Sequence, residues 1–92
     1  MSEAEVEQVV RSAFPDARVV SVDRMPDSEN VMDTEFFSGL LVAGEFESVS
    51  PTERFWEFQH RIYPYLPSEG RPEVKLSLFS PSEYNRLTGL VA

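Results

Sequence analysis

The side chains most capable of chemistry are a single histidine and a group of carboxylates. His60 is the only histidine, and an imidazole can act as a general base or as a metal ligand. Asp27, Glu29, Asp33 and Glu35 crowd one segment, and Ca²⁺ and Mg²⁺ prefer oxygen ligands of this kind. A metal site usually needs at least three ligands, so a small metal-dependent protein would have to combine His60 with these carboxylates. The order of an EF-hand is missing, which favours a solvated acidic loop, and we predict no metal site and no cofactor.

Motifs for nucleophilic catalysis and for phosphate binding are missing from the sequence. No serine lies in a Gly-x-Ser-x-Gly elbow, and the four glycines are too scattered for a phosphate-binding loop. Ser50 and Ser80 each precede a Pro-x-Glu sequence and are better explained as helix caps. We therefore predict no catalytic residue and a protein that is not an enzyme.

Aromatic residues are dense around the histidine. Helical spacing places Phe55, Phe58 and Ile62 on one face, which we predict to be core. Trp56 and Tyr63 lie seven residues apart, two turns along another side of the same helix. These two residues either join the core or, if exposed, anchor a protein partner, because interfaces are enriched in Trp, Tyr and Arg. The candidate partner-binding residues are Trp56, His60, Arg61 and Tyr63.

Charge and composition restrict the partners and the compartment. The 92 residues carry a formal net charge of −8, with eleven acidic and three basic residues in 1–50 but five of each in 51–92. A negative surface repels phosphate backbones, so we do not expect nucleic acid binding. The sequence has no cysteine, no signal-peptide pattern and no apolar run approaching the roughly 20 residues of a membrane span. We predict a cytoplasmic protein that does not interact with membranes.

Hydrophobic periodicity and helix-start signals predict six elements in one domain over residues 1–92. Ser2 with Glu5 forms a capping-box pattern, Pro64 should end the second helix, and Gly39 indicates a bulge or a close approach of another backbone. The predicted elements are a helix between Ser2 and Pro15, strands over 18–24 and 35–46, a helix between Ser50 and Pro64, a strand over 74–79 and a helix between Ser80 and Gly89.

This element order predicts an α+β fold, a small two-layer domain of order α-β-β-α-β-α. A loop over residues 25–33 joins the first two strands and favours an antiparallel hairpin. A helix joins the second and third strands and favours a parallel pair with a right-handed crossover. We expect a three-stranded mixed sheet with the helices packed on one face.

Several short stretches resemble the BolA-like family, whose fold is related to type II KH domains. The matching stretches are Phe14-Pro15-Asp16-Ala17, Glu45-Phe46, His60-Arg61-Ile62-Tyr63 with Leu66, and Ser80-Pro81-Ser82-Glu83-Tyr84. The resemblance implies a protein-binding or regulatory module. It also implies that the helix histidine, here His60, can join a glutaredoxin in holding an iron–sulfur cluster. Gln59 departs from the pattern, since a basic residue is usual at that position.

A second resemblance is to minimal nucleotidyltransferase domains. Leu40-Leu41-Val42-Ala43, followed by a helix and then by Val74-Lys75-Leu76, is similar to the catalytic strands of that family. Phe37, Gly39 and Lys75 stand near the places where aspartates would hold Mg²⁺, so two-metal phosphoryl transfer has no site. This resemblance implies a catalytically dead relative, and it remains an alternative to a BolA-like binding module.

Overall fold

The structure is a computed structural model that describes residues 1–25 and 35–89. The acidic segment with Asp27, Glu29 and Asp33 lies outside these residues. The elements are α1 (Glu3–Ala13), β1 (Arg18–Arg24), β2 (Phe36–Val42), α2 (Pro51–Ile62), β3 (Glu73–Phe79) and α3 (Pro81–Gly89), with short 3₁₀ segments at Gly44–Phe46 and Tyr63–Tyr65. The predicted α+β class and the order α-β-β-α-β-α are confirmed.

The strands form one mixed sheet in the order β1-β2-β3. β1 pairs with β2 in antiparallel orientation, with Arg24 opposite Phe37. β2 pairs with β3 in parallel, with Phe37 opposite Val74. A parallel pair needs a crossover connection, which α2 supplies here. The predicted three-stranded mixed sheet is therefore confirmed.

Local side-chain chemistry sets the ends of the first two helices. The Ser2 hydroxyl accepts the Glu5 N–H at 3.1 Å, while the Glu5 carboxylate accepts the Ser2 N–H at 2.8 Å. At the start of α2 the Ser50 hydroxyl accepts the Glu53 N–H at 3.3 Å. α2 ends before Pro64, whose ring nitrogen has no N–H to continue the helix. Both helices have the termini that the capping patterns predict.

The core lies between the sheet and the first two helices. Phe14 at the end of α1 packs between Phe58 of α2, at 5.7 Å between ring centroids, and Phe46, at 6.0 Å. Phe37 and Leu41 on the central strand are fully buried under these rings. The five side chains fix the position of α2 relative to the sheet, which decides which side of that helix remains exposed.

The second strand ends earlier than the sequence predicts. We expect it to run to Phe46, but β2 ends at Val42 and Gly44–Phe46 forms a 3₁₀ turn. The last ladder contact is the Ala43 N–H to the Phe79 carbonyl at 3.0 Å. The run of apolar residues continues past the sheet because Phe46 turns into the core between the helices, where it is 1% exposed.

Gly39 lies where the central strand approaches β1 most closely. A Cβ at this position would lie 2.0 Å from the Ser21 carbonyl oxygen. The register of β1 shifts between Val19 and Ser21, directly opposite this region. Of the two alternatives for Gly39 the close backbone approach is found, whereas the irregularity lies in β1, opposite Leu40 and Leu41, and Gly39 itself pairs with Val22.

Candidate functional site

The start of α2 is fastened to the sheet and to α3 by a buried arginine. Arg54 is 7% exposed, although arginine is rarely buried without partners. Its Nε donates to the Val49 carbonyl at 2.8 Å, and its Nη1 donates to the Leu78 carbonyl at 3.1 Å and to the Glu83 carboxylate at 2.6 Å. These three contacts come from separate parts of the chain, so Arg54 fixes the helix relative to β3 and α3.

Glu83 connects this arginine to the start of α3. Its carboxylate accepts the Ser80 N–H at 2.8 Å, and its own N–H donates to the Ser80 hydroxyl at 3.3 Å, which completes a capping box. The hydrogen bond from Arg54, followed by the bond from the Ser80 backbone, lowers the pKa of Glu83 to about 2. The carboxylate is therefore ionised throughout the physiological range and faces Arg54 as a negative charge.

A glutamine fastens the side of α2 that faces β3. The Gln59 Nε2 donates to the Val74 carbonyl at 2.9 Å. In a parallel sheet the backbone groups of successive residues point alternately to one side of the strand and to the other. The N–H of Glu73 donates to the Glu35 carbonyl, so Glu73 points toward β2. The Val74 carbonyl therefore points to the outer edge of β3, and Gln59 blocks part of that edge.

The guanidinium of Arg61, a predicted partner-binding residue, is occupied by contacts with other residues of the same chain. Its guanidinium forms ion pairs with Glu45 and with Glu57, the latter at 2.9 Å. The same group lies 4.6 Å from the centroid of the Phe14 ring. Burial disfavours the charge, but the hydrogen bonds that the guanidinium donates to Glu45 and Glu57 outweigh that effect and raise the pKa of Arg61. The arrangement holds α2 against the 3₁₀ turn and α1.

The other three predicted residues share the outer side of α2 and its end. Trp56 is 65% exposed and Tyr63 is 56% exposed, and His60 between them is exposed. These residues line one shallow groove, which we call the outer α2 surface. Its lining residues are Glu53, Trp56, Glu57, Gln59, His60, Tyr63 and Pro64. Trp56 and Tyr63 therefore belong to an exposed surface and are not part of the core.

The Tyr63 ring is held in place by an arginine that is not among the groove residues. Tyr63 begins the 3₁₀ segment Tyr63–Tyr65, and the Arg71 guanidinium lies 3.9 Å from the centroid of its ring. A guanidinium stacked on an aromatic face is attracted by the ring quadrupole. This contact restricts the orientation of the exposed phenol ring.

The prediction that Phe55 belongs to the core is wrong. Phe55 is 39% exposed, and its ring packs edge-on against Trp56 at 5.4 Å between centroids. At 100° per residue, Phe55 lies about 60° from the direction of Phe58 and thus at the border of the buried stripe. It adds to the apolar area beside the outer α2 surface.

The polar residues of the groove are not among the residues that the sequence predicts to bind a partner. Glu53, Glu57 and Gln59 line it beside the aromatic side chains, as does Pro64. The spacing of Glu53, Glu57 and His60 at i, i+4 and i+7 is the signal that places them on one helical face with Trp56. Their position follows once the exposed side of α2 is known.

Metal ligands do not converge on His60 in the described residues. Over 1–25 and 35–89, no group of three or more His, Cys, Asp or Glu side chains is arranged to hold a metal ion. The imidazole can supply one ligand at most, and the carboxylates of Asp27, Glu29 and Asp33 lie outside the described residues.

None of the helices in residues 1–25 and 35–89 is long and apolar enough to cross a membrane.

Comparisons with known proteins identify the fold. A scan against models of protein families and a search of curated proteins found no match. Among solved structures, a bol-like protein from Babesia bovis matches with a TM-score of 0.67 and 16% identity over 96% of this chain and 94% of that chain. The solution structure of BolA1 from Mus musculus matches with a TM-score of 0.61 and 15% identity over 94% of this chain and 70% of that chain. The chain has a BolA-like fold.

Proposed function

We propose that this protein is a non-enzymatic binding module that captures a protein partner through the outer α2 surface. The observation that carries the proposal is the exposure of Trp56, at 65%, and of Tyr63, at 56%, on one side of a helix whose other sides are fastened to the domain. Large exposed aromatic side chains that share a groove are typical of interaction sites. The BolA-like fold supports a binding role, and a cytoplasmic location stays a prediction.

The proposal divides the four candidate residues into two roles. Trp56, His60 and Tyr63 would contact the partner, because they line the groove. Arg61 would act as a positioning residue, since Glu45 and Glu57 already occupy its guanidinium.

Alanine substitution of both exposed aromatic residues tests the proposal. Trp56→Ala/Tyr63→Ala should abolish partner capture from an extract of the source cells while the thermal midpoint stays within a few degrees of the wild type. The matched control is Leu87→Ala, which removes an apolar side chain that is 50% exposed on α3 and should leave capture intact. If the double variant captures the same partner as the wild type, or if it unfolds, the outer α2 surface is not the binding site.

The BolA-like fold makes one defined partner testable. His60 is exposed beside Trp56 and Tyr63, so its imidazole can reach a bound protein. The chain has no cysteine and would supply one ligand to a shared iron–sulfur cluster, with the remaining ligands coming from the partner. A mixture with a cluster-loaded monothiol glutaredoxin should then give a visible absorption spectrum that differs from that of the glutaredoxin alone. The difference should disappear in His60→Ala. If the wild type and the variant give the same spectrum, His60 is not a ligand of a shared cluster.

A further inference from the structure

The chemistry of the outer α2 surface points to a kind of partner. Its aromatic rings alternate with carboxylates, with Glu53 one turn before Trp56 and Glu57 next to it. Within residues 1–25 and 35–89, the residues that line the groove include these two carboxylates and no Lys or Arg. The whole chain carries a formal charge of −8, so a positively charged partner would be attracted over a distance and an acidic one repelled.

Two arginines of this protein already show how this part of the molecule binds a guanidinium. The Arg71 guanidinium lies 3.9 Å from the centroid of the Tyr63 ring. The Arg61 guanidinium pairs with Glu57 at 2.9 Å and stacks on Phe14 at 4.6 Å. Arg61 thus combines an aromatic face with a carboxylate, which is a favourable pairing for a planar, weakly hydrated cation.

Trp56 and Glu53 repeat that combination without an arginine of their own. In the described part of the chain, no cation lies over the Trp56 ring and no ion pair involves Glu53, whose carboxylate only accepts the Ser50 hydroxyl at 3.2 Å. Indole is the best aromatic acceptor for a cation, and a guanidinium can lie on the ring while it donates to a carboxylate one turn away.

The neighbouring charges leave this position negative. Arg61 lies between Glu45 and Glu57, so these three groups together keep one negative charge. Arg71 is stacked on Tyr63 and is not among the residues that line the groove. From these contacts we infer that the outer α2 surface binds an arginine-bearing segment of a partner protein, with one guanidinium on Trp56 and Glu53.

This inference rests on the proposed function and adds the chemistry of the partner. Trp56 is the only tryptophan in the chain, so its emission reports directly on the site. The probe is a capped peptide of about twelve residues that alternates arginine with leucine, titrated at low ionic strength. Matched peptides carry citrulline, the uncharged isostere of arginine, or glutamate in place of every arginine.

The arginine peptide should change the Trp56 emission, and the citrulline peptide should bind about tenfold more weakly because a charged hydrogen bond and a cation–π contact are lost. Glu53→Gln should weaken the arginine peptide about three- to tenfold. The control is Asp23→Asn, which changes the net charge equally on β1, at the opposite edge of the sheet, and should alter the affinity less than twofold.

Different failures of this experiment have different meanings. If the citrulline or glutamate peptide binds as tightly as the arginine peptide, the docking surface stands and the arginine requirement is wrong. If the arginine peptide leaves the emission unchanged up to about 1 mM, the inference is wrong, and the capture experiment with Trp56→Ala/Tyr63→Ala decides the proposed function separately. An emission change on dilution of the protein alone, matched by a change in sedimentation, would mean that a second copy occupies the surface, which also overturns the inference.

Discussion

The buried arginine of α2 gives a prediction whose magnitude follows from its contacts. Arg54→Met keeps an unbranched side chain against Phe46, whose ring centroid lies 5.8 Å from the guanidinium carbon, but removes every hydrogen bond of the head group. The two bonds to the carbonyls of Val49 and Leu78 matter most, because these acceptors are then left without a partner inside the protein.

A hydrogen bond to a charged group contributes about 1.5–3 kcal/mol, so the two carbonyl bonds give about 3–6 kcal/mol. Removal of the cation also relieves its desolvation cost, which places the expected loss near the lower end, at about 3 kcal/mol. The bond to Glu83 adds little to this figure, since water can reach that side chain, which is 39% exposed. For a domain of this size the thermal midpoint should fall by about 12–24 °C.

Urea denaturation followed by circular dichroism measures the effect. The matched control is Arg11→Met, which removes an arginine that is 51% exposed and pairs only with Glu7 on α1. That exposed i, i+4 pair should be worth less than about 0.5 kcal/mol. A loss below about 1 kcal/mol for Arg54→Met, with an unchanged denaturant slope, would refute the view that Arg54 holds α2 to the sheet.

Three further predictions concern stability. The folded-state pKa of Glu83 is lowered from 4.5 to about 2, so the contribution of its carboxylate to stability is complete above pH 4.5 and is lost as the pH falls toward 2. Glu83→Gln should therefore reduce the change of the urea midpoint with pH over that window. Gly39→Ala places a Cβ 2.0 Å from the Ser21 carbonyl and should cost at least about 2 kcal/mol by thermal melting, whereas a neutral result would contradict the close approach of β1 and β2. Phe58→Ala should lower the free energy of unfolding by about 3–5 kcal/mol, but Phe55→Ala by less than about 1 kcal/mol. Similar losses for the two variants in urea denaturation would mean that Phe55 belongs to the core after all.

The parts of the fold that could be predicted from the sequence depend on neighbouring residues. The capping box of Ser2 with Glu5 closes over three residues, and Pro64 ends α2 through its own ring. Gly39 is a partial exception, because a glycine within a strand indicates a close contact but does not identify the residue that makes it. In each case the physical cause lies within a few positions of the residue, so pattern and structure agree.

The parts that could not be predicted depend on distant contacts. Arg54 reaches Leu78 and Glu83, which lie 24 and 29 residues away, and nothing in the pattern of α2 distinguishes this arginine from Arg61. Phe55 lies at the border of the buried stripe, where helical spacing alone does not decide whether a side chain is exposed. The candidate site follows the same division, since spacing groups Trp56 with Tyr63 but cannot show that this side of the helix is uncovered.

Four side chains of α2 and its end depart from the distribution on an ordinary surface helix, although Phe58 and Ile62 are buried as usual. Such a helix turns its charged residues to solvent and its apolar residues inward. Here Arg54 and Arg61 are engaged in internal contacts, while Trp56 and Tyr63 are more than half exposed. An exposed tryptophan contributes nothing to the core, and the arginines that could have solvated this side hold the helix in place instead. The arrangement therefore leaves an aromatic surface exposed on a helix that is fixed to the domain, and the arginine-binding inference follows from the carboxylates that remain beside it.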